Sequence, residues 1–375
     1  MSQAQLAPSE LRLSVRSVQM SALQLMAEHD LTLSFSDCNQ VLEEQRRQAA
    51  SAWDVVERVC LQEAQRRADN IPVSAPWLAY LTRLPDVAAF GYSAGSIMCQ
   101  VFGGSRDASE QAGIASALFN VFSSLFDRVC DEEPELLAQL IGLVNPESIS
   151  ACLWDGRPLQ PLDSDDGYPP LLEASILSLE AYLVWCRQHL HAASDGSLGD
   201  ACAANLLTMY DAEVVSNTCV LGPGSDRDQE VDWILFAKSV LPAWQICISA
   251  IALTPSPGLD LRRAQEASLW IGRSIWIADD LQDLGTDLEA DRWNALWRSL
   301  SYDHKVPLFD ADGRRIATST LLSSLVRSGA LRHAVGELCR SLERGCAVLA
   351  TMCDESQVKR LRTALEARIK LWIMS

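Results

Sequence analysis

The chain has 375 residues, 48% of them hydrophobic, and a mean hydropathy of +0.04, enough apolar side chain to bury a sizeable core in one large or two ordinary domains. Lys and Arg number 31 against 49 Asp and Glu, and the formal charge of −18 argues against nucleic acid or an anionic membrane as the main partner. An anionic substrate would have to meet this protein through bound cations.

The N-terminus has no basic segment followed by an apolar run, so no secretory signal is read there. Residues 1–45 are expected to form an N-terminal extension, helical in pattern, ahead of one helical domain over 46–375. Apolar residues recur at i, i+3, i+4 and i+7 over residues 110–129, 171–191, 201–215 and 321–348, and strand-like alternation is nearly absent. Breaks rich in Gly, Pro, Ser and Asp fall at 163–170, 194–200, 221–228 and 254–258, none long enough for a domain linker. The predicted fold is all-α, a single-domain bundle of about ten or more helices around a central active-site cavity. The longest apolar stretch, 240–253, contains Gln245 and is too short to span a bilayer. The 12 cysteines are scattered without a CxxC pair, which predicts reduced core thiols and a cytoplasmic location.

Two helical stems end in carboxylates. In the first, Phe119, Val121, Phe122, Leu125 and Phe126 lead into Asp127 and Asp131, one turn apart. In the second, Ile271, Ile275, Trp276 and Ala278 lead into Asp279, Asp280, Asp283 and Asp287. On one continuous helix, positions 279, 283 and 287 fall within about 80° of one another. Like charges one turn apart destabilise a helix by a few tenths of a kcal/mol, so helix stability does not account for the pattern. Oxygen ligands without nearby His or Cys suit Mg²⁺, and two such helices could face each other across a bundle.

The two clusters resemble those of the class I isoprenoid synthase superfamily, which includes trans-isoprenyl diphosphate synthases and related terpene synthases. In the diphosphate synthases two DDxxD motifs clamp the substrate diphosphate through Mg²⁺, the second preceded by G-x-x-F-Q. Here Gly272, Ile275 for the Phe and Trp276 for the Gln precede Asp279, Asp280 and Asp283. Asp279, Asp283 and Asp287 also match the ligand positions of the terpene synthase pattern NDxxSxxxE. In the first motif Asp127 and Asp131 match the outer aspartates, and Arg128 replaces the second. Lys238-Ser239, 41 residues before Asp279, is similar to the family Lys-Thr, and Asp211 is similar to an aspartate one helix upstream of it.

The resemblance implies Mg²⁺, about three ions, held by Asp127, Asp131, Asp279, Asp280, Asp283 and Asp287. It implies diphosphate contacts from Arg128, Lys238 and Arg292, and a prenyl diphosphate as substrate. A cavity wall is expected from Trp276, Ile275, Phe122, Asp211 and Trp244, with Trp270 and Trp233 as further aromatic candidates for stabilising cations. A homodimer is left open, since homodimers are common in the superfamily. Chain-elongating members bind a second diphosphate with a basic GGKRxRP segment, which would fall near residues 85–92, where no basic residue occurs. The RRG after the first motif is also missing, with Leu136 and its neighbours in its place. The expected activity is therefore a terpene synthase, a cyclase releasing diphosphate from one linear substrate. Alternatives are a prenyltransferase, either chain-elongating or of the squalene and phytoene synthase type, and an inactive partner subunit of a prenyl synthase.

Overall fold

A computed structural model describes residues 8–67, 76–159, 168–193, 197–216, 228–254, 259–290 and 292–374. Of the predicted breaks, 163–167, 194–196, 221–227 and 255–258 lie outside the described residues. The α-helices, in chain order, are α1 (Pro8–Ala27), α2 (Phe35–Arg67), α3 (Leu78–Leu81), α4 (Pro85–Val101), α5 (Arg106–Glu132), α6 (Leu137–Leu143), α7 (Pro146–Ser150) and α8 (Pro170–Ala193). The second half contributes α9 (Ser197–Ser216), α10 (Asp228–Ala252), α11 (Leu261–Gln282), α12 (Leu284–Glu289), α13 (Ala295–Arg298), α14 (Thr318–Arg327), α15 (Ala330–Ala350) and α16 (Glu355–Met374). Among the described residues β-pairing is limited to an isolated bridge between Phe309 and Arg315. The all-α expectation holds.

The bundle is organised around α10, which packs against α9, α11, α4, α5 and α8. Two close approaches set its geometry. A Cβ on Gly91 would lie 2.3 Å from the carbonyl oxygen of Ser116, so glycine lets α4 lie against α5 and fixes residue 91 level with 116. A Cβ on Gly272 would lie 2.4 Å from the carbonyl oxygen of Val240, the same device between α11 and α10. The apolar stretch of α10 is longer than the sequence pattern suggested: Asp232–Ala252, 21 residues, is long and apolar enough to cross a membrane. It is nevertheless a core helix, with 72% of its most apolar window buried inside the bundle.

The N-terminal segment is integral to the bundle. Helix α2 runs unbroken through residue 45, where the sequence reading put a boundary, and packs on α16, α4 and α8. Helix α1 packs on α15, α14, α12 and α16. From it the buried Gln19 side-chain amide donates to the carbonyls of Leu281 (3.2 Å) and Gln282 (3.4 Å), in the last turn of α11, where helical carbonyls lack intrahelical donors. The α1–α2 link is tied down by α16: Lys370 donates to the carbonyls of Leu31 and Leu33, and Glu366 accepts from the Leu33 amide. The 11 cysteines described form no disulfide, and all but Cys353 are buried.

Candidate active site

The C-terminal ends of α5 and α11 meet at one end of the bundle, where Asp127, Asp131, Asp279, Asp280, Asp283 and Asp287 line a polar mouth of about 230 Å³ together with Lys238 and Arg292. Six carboxylates thus face two cations. The arrangement is not one continuous helix. Helix α11 stops at Gln282, Asp283 serves as the junction, and Asp287 sits on α12. The i to i−4 ladder nevertheless carries across, from the Asp283 amide to the Asp279 carbonyl and from Asp287 to Asp283, each 2.9 Å, so the three carboxylates keep roughly the predicted spacing.

Crowding and burial show in the protonation equilibria. Desolvation, reinforced by Asp283, pushes the Asp279 carboxyl up to about 7. Desolvation also pushes Asp287 up to about 6, against a 2.8 Å hydrogen bond from the Asn294 amide. Asp283 is raised in the same direction by burial and by Asp127. Burial works against the Lys238 ammonium, but Glu213 at 2.8 Å and Asp127 at 3.9 Å outweigh it and hold the lysine charged. Glu213 itself is pushed up to about 7, desolvation and Asp127 prevailing over Lys238. Helix geometry adds an acceptor here. Pro242 has no N–H to offer the carbonyl of Lys238 one turn earlier, which loses its helical donor at the rim of the site.

All-oxygen donors that repel one another and face a common space fit a hard divalent cation. Among the described residues no three ligating side chains are close enough to hold an ion by themselves. Water or the oxygens of a bound anion would complete the coordination.

Below the mouth lies an apolar cavity of about 390 Å³ that shares Asp127, Lys238, Ser239 and Asp279 with it. Its walls come from α4, α5, α10, α11 and α16, and both Ile275 and Trp276 are in them.

Other expected wall residues are elsewhere. Phe122 packs edge-on against Tyr210 and Phe126, because α5 turns its phenylalanines into the core and presents Asn120, Ser123 and Ser124 to the cavity. Trp244 is buried outside the lining, where Pro242, Ala243 and Ile246 face the space instead. Trp233 is exposed and stacked on Phe236, and Trp270 lies beneath Arg344 on the outside of α11. Asp211 is exposed and lines neither space; Glu213, two residues on and therefore about 200° around α9, takes the place beside Lys238.

The polar assignments also shift. Arg128 turns back along α5, chelating Glu132 at 3.1 and 3.3 Å with its guanidinium 5.9 Å from the Tyr80 ring, and does not line the mouth. Arg292 does, and it grips Asp131 through two hydrogen bonds of 2.7 and 3.1 Å. Asp280 borders the mouth, but its Oδ2 accepts from the Ala295 amide at 2.6 Å, which engages that oxygen with the backbone. Asn294 was missed by sequence reading. Fully buried, it caps α13 and donates to both the Asp280 carbonyl and Asp287, and an Asn ahead of an apolar helical start is its recognisable signal.

No protein-family model matches the chain, and no curated protein matches it in sequence. Solved structures do match it in shape. The geranylgeranyl pyrophosphate synthetase of the archaeon Geoglobus acetivorans superposes with a TM-score of 0.59 at 14% identity, covering 91% of this chain and 100% of that one. A polyprenyl synthase of Caulobacter crescentus, complexed with calcium and isoprenyl diphosphate, gives 0.57 at 12% identity, covering 89% and 98%. The geranylgeranyl pyrophosphate synthase of Lactobacillus brevis gives 0.56 at 14%, covering 92% and 100%. With two facing carboxylate helices and near-complete coverage of the bundle, this chain has the all-helical fold of the class I isoprenoid synthases.

Proposed function

We propose that the chain is a Mg²⁺-dependent enzyme that ionises an allylic prenyl diphosphate at the carboxylate mouth and passes the resulting cation to a second, acceptor substrate. The observation that carries this reading is the junction of the two spaces. An acidic mouth with one half-buried lysine opens directly into an apolar cavity, so a diphosphate head and a hydrocarbon tail each have a matching environment. Mg²⁺ held by Asp127, Asp279, Asp283 and Asp287 would neutralise charge on the leaving diphosphate. Lys238 donates to the same oxygens, and its interaction strengthens as the C–O bond breaks and negative charge accumulates. The Trp276 face, one turn below Asp279, stabilises positive charge near the mouth, and the apolar walls exclude water that would quench it.

Transfer to an acceptor is supported by the solved structures of like fold, which carry the names of prenyl diphosphate synthases. One observation favours the cyclase reading instead. The turn into α4 offers Leu81, Thr82 and Leu84 and only the exposed Arg83, so no cluster of cations awaits a second diphosphate there. The deciding experiment is incubation of the purified chain and Mg²⁺ with C10, C15 and C20 allylic diphosphates, with and without isopentenyl diphosphate, followed by product analysis. Longer products that need both substrates support transfer. Cyclic hydrocarbons from the allylic substrate alone support cyclisation. No diphosphate release under any condition defeats both.

A further inference from the structure

The apolar cavity contains a charged residue that ionisation does not use. Arg368 on α16, with Gln45 and Phe90, lines both the cavity and a small crevice that continues to Arg46 and Asp86. Its guanidinium carbon lies 4.6 Å from the Phe90 ring centroid and 5.5 Å from that of Trp372, and its Nε is buried with no hydrogen-bond partner. Arg46, by contrast, is paired with Glu43 at 3.2 Å and Asp86 at 3.4 Å. Phe90 neighbours Gly91, level with Ser116, and Asp127 stands about three turns further along α5. Arg368 therefore sits roughly 15 Å below the carboxylate mouth.

A guanidinium in that position is unfavourable twice over. Asp86, already engaged by Arg46 at 3.4 Å, offsets this charge only in part, and in an apolar wall the remainder carries a desolvation penalty. It also repels the carbocation that the site is built to form, and in a low-dielectric cavity that repulsion reaches across several ångströms. Both penalties are relieved if an anion occupies the space against Arg368 before ionisation. The guanidinium lies over Phe90 and beside Trp372, whose ring centroids are 6.0 Å apart, and its Nε donor has no protein partner, which suits an oxyanion.

We propose that Arg368 binds the oxyanion head group, phosphate or carboxylate, of the acceptor substrate, whose carbon end points up the cavity toward the mouth. The inference rests on the prenyl-transfer reading above. In the step it serves, the allylic C–O bond breaks with its electron pair leaving on diphosphate. A nucleophilic carbon of the acceptor bonds to the allylic C1, and the acceptor loses a proton to the departing diphosphate.

The test is calorimetric titration of the full chain with two probes, isopentenyl diphosphate and benzoate, for the wild type, Arg368→Gln and Arg368→Met. At least one probe should bind the wild type and bind both variants about ten-fold or more weakly, the loss of a charge-assisted contact. Which probe responds identifies the head group as phosphate or carboxylate. Arg344→Gln, a surface change over Trp270, should leave probe binding as in the wild type. Arg368→Met should melt at or above the wild-type temperature, because it removes a half-buried charge that Asp86, shared with Arg46, offsets only in part. An arginine kept only for the fold would give a lower melting temperature with probe binding retained, and that result overturns the proposal. So does the absence of binding by either probe. Diphosphate release from an allylic substrate, measured in parallel, tests the functional reading separately: release without Arg368-dependent binding sinks this inference alone.

Discussion

At the scale of single residues the site is a set of charges that need one another, and Lys238 holds the most of them. It faces Glu213 and Asp127 at once, so removing it takes away a donor to the diphosphate and withdraws its positive charge from two carboxylates. Lys238→Gln should lower kcat/KM for an allylic diphosphate by about 100-fold or more. Its effect on stability should depend on pH. Glu213 already titrates near 7 with the lysine present, and without it the carboxyl rises further. At pH 6 the variant can protonate Glu213 and lose little, whereas at pH 8.5 it holds a buried carboxylate that has lost the neighbouring ammonium and should melt well below the wild type. An equal loss at both pH values would show that Glu213 is not the coupled group. Neighbouring aspartates should also separate by role. Asp279→Ala should abolish turnover while the metal-free protein melts no lower, because a repelled carboxylate has gone. Asp280→Ala orphans the Ala295 amide, a loss of about 1 to 3 kcal/mol, and should lower the melting temperature.

At the scale of the element, two helix contacts set the width of the site, and Gly272 controls one of them. Gly272→Ala places a methyl 2.4 Å from the Val240 carbonyl oxygen and must push α11 away from α10. Overpacking of this kind costs about 1 to 3 kcal/mol, and here it would also move Asp279 relative to Lys238. The expected result is a lower melting temperature together with a fall in kcat larger than the change in KM; an unaltered kcat would show that the spacing tolerates the shift. The helices themselves were legible, because a 3.6-residue apolar period marks a helix whatever it packs against. The carboxylate spacing was legible for the same reason, even though α11 and α12 are separate segments. The facing of apolar positions was not. Phe122 and Trp244 lie on helix segments that are buried nearly all round, and periodicity cannot say which side meets a cavity and which meets a neighbouring helix. The weakly polar Ser123, Ser124 and Asn120 were the better pointer on α5, since a buried stem has little other use for them. Residues 1–45 read as an N-terminal extension because a contact such as that of Gln19 with the end of α11, across 262 residues of sequence, leaves no local pattern.

At the scale of the molecule, six of the chain's 49 acidic residues crowd one mouth, and this gives the metal-free chain a characteristic response to pH. Asp279 and Glu213 are pushed up to about 7 and Asp287 to about 6, all above ordinary carboxyl values. A carboxyl raised on folding binds its proton more tightly in the native state than in the unfolded chain. Its contribution to stability is therefore complete below about pH 4 and is lost as pH rises through its folded value. In EDTA the melting temperature should accordingly fall between about pH 5.5 and pH 8, over the window set by Asp287, Asp279 and Glu213. Mg²⁺ with inorganic diphosphate competes with protons for the same oxygens, so its stabilisation should be small at pH 5.5 and large at pH 8. Scanning calorimetry at both pH values, with and without the ions, measures this directly. Asp279→Asn should flatten the metal-free slope and reduce the ligand-induced gain together, because one carboxyl is responsible for part of each. A gain from Mg²⁺ and diphosphate that is the same at pH 5.5 and pH 8, or a variant that alters one quantity and not the other, would separate the titrating carboxylates from the metal site and refute the assignment of the mouth.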